Sequence, residues 1–284
     1  MSSSRRDSLK FLPTSKRQNS RPVSLDEISR RAKERAEQLV AGYVPILPTE
    51  GDMRCIQERQ LRHVAGKTVA VSSPCHHGFP QAFAFDPAGH KLSSGLFRLS
   101  CPLLVQAIDE LEDEGGIEDV NARLERDGDL REDFMAVNLA HGHLRRRLVS
   151  AERAREVQES IGEKAFEVFI SSGITGLTPG KVRDAKCLHA HVADALMRGR
   201  EANAIGSSTL ELLEARGVGS SGCDRCREQC DYNLEETEDS WRYTPQKNKQ
   251  RLMQRKVRRK AIKATVAARH ERKPGLDATI TDTR

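Results

Sequence analysis

The chain has 284 residues, of which 4% are aromatic and 31% charged, so part of its length is expected outside any packed core. Its net charge of +6 is unevenly laid out: residues 1–22 carry six Lys/Arg against one Asp, residues 247–273 carry twelve against one Glu, and the rest holds 29 basic and 39 acidic residues. That layout argues against a uniformly basic globular surface, and the lack of an apolar run of about eighteen residues argues against a membrane-spanning helix.

In chain order, residues 1–22 read as a disordered basic segment with the Ser/Arg-rich, acid-poor composition of a mitochondrial transit peptide. They contain no apolar region of the secretory type, so an intracellular protein is expected, cytoplasmic or mitochondrial and not secreted. The seven cysteines then read as thiols or metal ligands rather than a disulfide framework. Ser24 followed by Glu27 fits a capping box for a helix over about 25–41, with Ile28, Ala32, Ala36, Leu39 and Val40 at helical spacing. The Pro/Gly-bearing stretch 42–52 reads as a linker, so 23–60 is assigned as helix and linker.

A Cys/His-containing α+β domain is expected over 61–216. Thr68 to Val71, Ala82 to Phe85 and Leu96 to Leu99 read as short strands, with a turn at Asp86-Pro-Ala-Gly89. Cys101-Pro102 opens a helix to about Glu114, which Gly115-Gly116 breaks. A shorter helix runs to about Arg126, a long helical pattern covers about 129–170, and 171–180 is a small polar loop. Further helices are predicted over about 182–198 and, capped by Ser207 or Ser208, over 208–216. Residues 217–244 form a Cys-rich segment and 245–284 a basic tail. The fold class is α+β: a small antiparallel sheet covered by helices, with disordered or helical basic tails.

Cys75, Cys101 and Cys187 fall at the ends of elements, where site residues concentrate. Cys187 and His191 are four apart and share a helical face, whereas His189 points elsewhere. One zinc ion held by Cys75, Cys101, Cys187 and His191 is the expected metal site, a tetrahedral Cys3His set. His189 would then stand behind the ligands or carry a proton, and His76 and His77 compete as ligands beside Cys75. The plainer reading is a packed helix with satisfied histidines. The acidic run Asp109, Glu110, Glu112, Asp113 and Glu114 reads as a solvated helix face.

The stretch Gly180-Lys-Val-Arg-Asp-Ala-Lys186-Cys-Leu-His-Ala-His191, with Ala193, Leu196 and Asn203-Ala-Ile-Gly206, resembles the signature of the bacterial family of domain of unknown function 501. Pro74-Cys75-His-His-Gly78-Phe-Pro80 and Cys101-Pro102 resemble its other motifs, and the resemblance covers roughly 65–213. It implies no reaction. It does imply a departure, because family members often carry a histidine seven residues after the motif cysteine, where this chain has Asp194. If that histidine is a ligand in relatives, Asp194 either substitutes as an oxygen donor or leaves the site here altered.

Cys223-Asp-Arg-Cys226-Arg-Glu-Gln-Cys230 is a second candidate metal group, suited to zinc or an iron–sulfur cluster. No fourth ligand is adjacent, so one would be drawn from the first group, from Cys55 or from a partner chain; redox-active or exposed thiols are the alternative. In the tail, Lys247, Lys249, Arg251, Arg255, Lys256, Arg258, Arg259, Lys260 and Lys263 are candidate contacts to RNA or ribosomal phosphates, with Trp241 and Tyr243 as base-stacking candidates. Three functions follow. The first is a metal-binding protein of unassigned reaction. The second is an RNA- or ribosome-associated factor with a structural metal. The third is a thiol enzyme with Cys187 as nucleophile, activated by its helix N-terminus and a nearby histidine; in the first, three protein ligands plus water would permit metal-assisted hydrolysis with His189 as general base.

Overall fold

The computed structural model describes residues 24–89, 95–177, 184–219, 225–243 and 257. The chain divides into two units, Met1–Thr244 and Pro245–Arg284. Residues 1–22, Cys223 and the nine basic residues of the tail assigned to RNA lie outside the described residues.

The first helix, α1, spans Leu25–Ala41, and the Glu27 amide donates to Ser24 Oγ at 3.2 Å. It buries Ile28, Ala32 and Ala36, and its main partner is the long helix α5, Gly128–Leu148. Arg35 clamps the pair by donating to Asp133 at 2.6 Å.

The expected linker, 42–52, is non-helical as far as Thr49, but its last residues open a helix that runs on beyond it. Helix α2, Glu50–Arg54, starts from a full Thr49/Asp52 capping box, and a π-helix, Cys55–Gln60, continues it. Apolar burial explains the difference: Cys55 and Ile56 are fully buried.

Strands β1 (Thr68–Val71), β2 (Ala82–Phe85) and β3 (Phe97–Leu99) form an antiparallel sheet in that order. Strand alternation sorts its side chains. Ala82 and Ala84 face the main core, whereas Val71 and Phe83 pack with Ile56 from the π-helix. Alanines on the core face let helix α8, Leu188–Arg198, lie against β2 and β3.

Helices α3 (Pro102–Asp113) and α4 (Gly116–Arg126) meet at Gly115, whose φ of +105° suits glycine alone. The predicted 129–170 helix is instead α5, α6 (Ala151–Ile161) and α7 (Glu163–Ser171). Ser150 caps α6, and Gly162, at φ +82°, turns the chain into α7.

Two later helices start elsewhere than expected. Residues 184–187 are not helical, and Cys187 is extended at φ −159°, so α8 begins only at Leu188. Helix α9, Ala204–Ala215, starts four residues early because Asn203, not a serine, accepts the Gly206 amide at 2.9 Å. The Cys-rich segment folds back: helix α10, Arg225–Cys230, packs on the π-helix and α3. Among the described residues no helix is long and apolar enough to cross a membrane.

Gly206 lies where α9 crosses α8, and a Cβ there would overlap the His191 carbonyl oxygen and the Ala195 methyl. Gly206→Ala is therefore expected to destabilise the fold by about 1–3 kcal/mol through overpacking, read as a lower denaturation midpoint. An unchanged midpoint would show that the two helices slide apart freely.

Candidate metal centre

Cys187 is the residue before α8, and its extended backbone takes it out of the helical register. The i, i+4 argument that paired it with His191 therefore does not apply. Cys187 Sγ stands 3.8 Å from His189 Nδ1. The same nitrogen is 3.2 Å from Glu112 Oε1, and the three ligand atoms all lie within 4.8 Å of one another. Among the described residues this is the one group of three or more His, Cys, Asp or Glu side chains so converged.

Glu112 is buried on α3, and its Oε1 also accepts the Leu188 amide at 2.7 Å. The contact caps the start of α8 and holds α3 to it. The carboxylate belongs to a stripe with Val105 and Ile108, both buried, rather than to a solvated face. That apolar spacing was the legible signal that the acidic run had concealed.

His189 Nε2 lies 3.2 Å from the Val105 carbonyl oxygen and 3.8 Å from Asp109 Oδ1. A carbonyl oxygen only accepts, so Nε2 carries a proton, and in the neutral ring the lone pair is on Nδ1, facing Cys187 and Glu112. Burial opposes a second proton, but Cys187 and Glu112 favour it and raise the His189 pKa to about 10. Without an ion, a proton fills the space between the three groups.

His191 lies in a different environment. It is buried, 5.6 Å from the Phe134 ring, with Nδ1 3.1 Å from Asn203 Nδ2. Asn203 Nδ2 also donates to Asp194 Oδ2 at 3.0 Å. Asp194 further pairs with Arg198 and, at 3.2 Å, with His141 on α5. Its carboxylate is thus occupied in the core and is not brought to Cys187 as a donor.

Cys101 opens α3 eleven residues before Glu112, about 16 Å along the helix axis. It is not brought to Cys187, and the four expected ligands Cys75, Cys101, Cys187 and His191 do not converge. Cys101 is instead within electrostatic reach of Cys75 and Cys230. His76 and His77 on the Cys75 turn lie against each other, tilted by 45° with ring centroids 3.7 Å apart. Tyr243, a base-stacking candidate, packs against the core and donates its hydroxyl to Asp109 Oδ2 at 2.6 Å. Trp241 lies under the Arg225 guanidinium, 5.9 Å from the ring centroid.

The motifs around these residues also have a family behind them. Residues 71–211 match the model of the family described as protein of unknown function (DUF501). This stretch of the chain belongs to that family. The DUF501 segment contains all three clustered residues, Glu112, Cys187 and His189, whereas Cys55, Cys226 and Cys230 fall outside it. No curated protein and no solved structure matches the chain.

The titratable groups set a pH profile for metal-free protein. Burial lowers the His191 pKa to about 4 and lowers that of His141, while unfolded histidine titrates near about 6.5. Their contribution is therefore present above about pH 6.5 and lost as pH falls toward about 4. His189 acts in the opposite sense. Its contribution is full below about pH 6.5 and lost as pH rises through about 10. Denaturation midpoints in chelator should thus peak near about pH 6.5; a profile flat from there to about pH 4.5 would contradict these shifts.

Proposed function

We propose that this chain is a metal-binding protein whose ion is held by Cys187 Sγ, His189 Nδ1 and Glu112 Oε1. One observation carries the reading. Tetrahedral zinc ligands lie about 3.3–3.8 Å from one another, given bond lengths of about 2.0–2.3 Å. The separations here are 3.8 Å from Cys187 to His189 and 3.2 Å from His189 to Glu112. The Val105 carbonyl supports it further, because a hydrogen bond to the distal ring nitrogen is how proteins orient a ligating histidine.

A mixed sulfur, nitrogen and oxygen set suits zinc better than an iron–sulfur cluster, which prefers thiolates. Three protein ligands leave a fourth position for water or substrate, the arrangement of catalytic rather than closed structural zinc. A metal-bound water there would be acidified and available for hydrolysis. Thiolate ligation requires reduced cysteine, so this reading assigns the protein to a reducing compartment, cytoplasmic or mitochondrial.

Zinc content of the full chain should fall by one ion per molecule in Cys187→Ser and in Glu112→Gln, with the fold retained by circular dichroism. A rival reading uses the same contact: Cys187 as a nucleophile beside the His189 imidazolium. It predicts that Cys187→Ser keeps the metal content and loses only labelling by a thiol-alkylating probe. That outcome would replace the metal reading.

The tail supports an additional role. Its twelve Lys/Arg against one Glu over 247–273 suit a polyanion, RNA or ribosomal phosphate, bound through counterion release. RNA binding is expected to weaken steeply with salt and to vanish when the chain ends at Thr244. Equal binding by the shortened chain would remove the tail from the contact surface.

A further inference from the structure

The His189 ring has two nitrogens, and the proposed ion uses only one of them. Helix α3 passes the ring with Val105, Asp109 and Glu112, which share one face through steps of four and three residues. Glu112 Oε1 meets Nδ1 at 3.2 Å, on the ligand side. On the far side, Nε2 lies 3.2 Å from the Val105 carbonyl oxygen and 3.8 Å from Asp109 Oδ1. The second oxygen of Asp109 accepts the Tyr243 hydroxyl at 2.6 Å. We propose that Asp109 and Tyr243 are positioning residues for His189, so that the segment 225–243, which follows the DUF501 stretch, completes the metal centre without supplying a ligand. The role rests on the reading of Glu112, Cys187 and His189 as the ligands of one ion.

The Val105 carbonyl is a shared acceptor. Inside a helix the carbonyl of residue i takes the amide of residue i+4, and here that amide belongs to Asp109. Its remaining lone pair reaches Nε2 but brings no net charge. Asp109 brings a full negative charge to the same nitrogen. An imidazole whose far N–H faces a carboxylate is a more basic ligand at its other nitrogen, and its ring plane is fixed. Asp109 is on the wrong side of the ring to bind the ion itself, so its contribution passes through His189.

The Asp109 side chain is 20% exposed, and without a second contact its carboxylate would turn to water. Tyr243 supplies that contact from a braced backbone. Its ring packs against the main core, its amide donates to Gln229 Oε1 at 2.7 Å, and its carbonyl accepts Gln229 Nε2 at 3.1 Å. Gln229 is itself buried and also donates to the Arg59 carbonyl at 3.4 Å. The Arg59 guanidinium returns the link by donating to the carbonyls of Glu228, Gln229 and Leu234. Phenylalanine would bury the same ring as Tyr243; the hydroxyl adds the tie to Asp109.

Zinc affinity of the full chain, measured by competition with a chromophoric chelator, tests this role. Asp109→Asn keeps the side-chain shape and removes its charge. It should still bind one ion at saturation, with affinity lower by about 10–100-fold. Tyr243→Phe loses only the hydroxyl and should lose about 3–10-fold. Because Tyr243 acts through Asp109, adding Tyr243→Phe to Asp109→Asn should cost nothing further. In zinc-loaded protein the His189 Nε2 proton, followed by nitrogen-edited NMR, should move upfield in both single variants as its acceptor weakens, which a merely structural role would not produce. Where Asp109→Asn fails to fold, Tyr243→Phe decides by affinity and by the same proton signal. Affinity unchanged in the variants, or an equal loss from Tyr243→Phe with and without Asp109, would overturn the positioning role; loss of zinc in Glu112→Gln would then leave the ligand reading in place. Wild-type protein that takes up no zinc on titration would remove both.

Discussion

The buried carboxylate of Asp194 is the interaction on which the arrangement of the helices depends. Burial opposes its charge, yet Arg198 and His141 hold its pKa well below the usual carboxylate range. Its partners come from α8 itself, from α5 and from Asn203 at the start of α9. Removing one partner of such a buried pair costs about 3–5 kcal/mol, because the remaining charge has no water to turn to. The network thereby fixes α8 in rotation and in depth, and everything at the other end of α8 inherits that placement.

At that other end the same helix presents its first free amide, Leu188 N–H, to Glu112. A carboxylate at a helix N-terminus is favoured by the orphan amides and the helix dipole. Here it also sets the donor geometry, since its Oε1 faces His189 Nδ1. One side chain thus serves as cap, as link between α3 and α8, and as a candidate ligand. Helix α3 carries more than this, because Cys101 stands before its first turn and Glu112 near its last. The proposed metal site therefore lies at the far end of this helix from Cys101.

The segment 225–243 joins these features from outside the DUF501 stretch. Gln229 exchanges hydrogen bonds with Tyr243, donating to its carbonyl and accepting its amide. Tyr243 then reaches Asp109, whose other oxygen faces His189. The side chains of Arg59 and Gln60 reach the same segment from the π-helix. A region that reads in isolation as an appended cysteine cluster is therefore packed into the domain, with its cysteines turned inward rather than outward.

Local chemistry made much of this legible from the chain alone. Ser24 and the Ile28, Ala32, Ala36 spacing define α1; alternation defines the three strands; Cys101-Pro102 defines the start of α3. The family resemblance likewise rests on contiguous residues, and Cys187 was an expected ligand there, whereas His189 was expected behind the ligands and His191 among them. Hidden from that view were the choice of Asn203 over a serine as a cap, the helical character of 50–60, and the approach of Glu112 to Cys187 and His189. Spacing along a helix predicts a shared face only when both residues are in the helix, and Cys187 is not. Glu112 lies 75 residues from Cys187, and Gln60 lies 170 from Cys230, whose sulfur it meets at 3.4 Å. Neither pairing has a local signature, because long-range burial, and not backbone periodicity, decides which buried polar groups must meet.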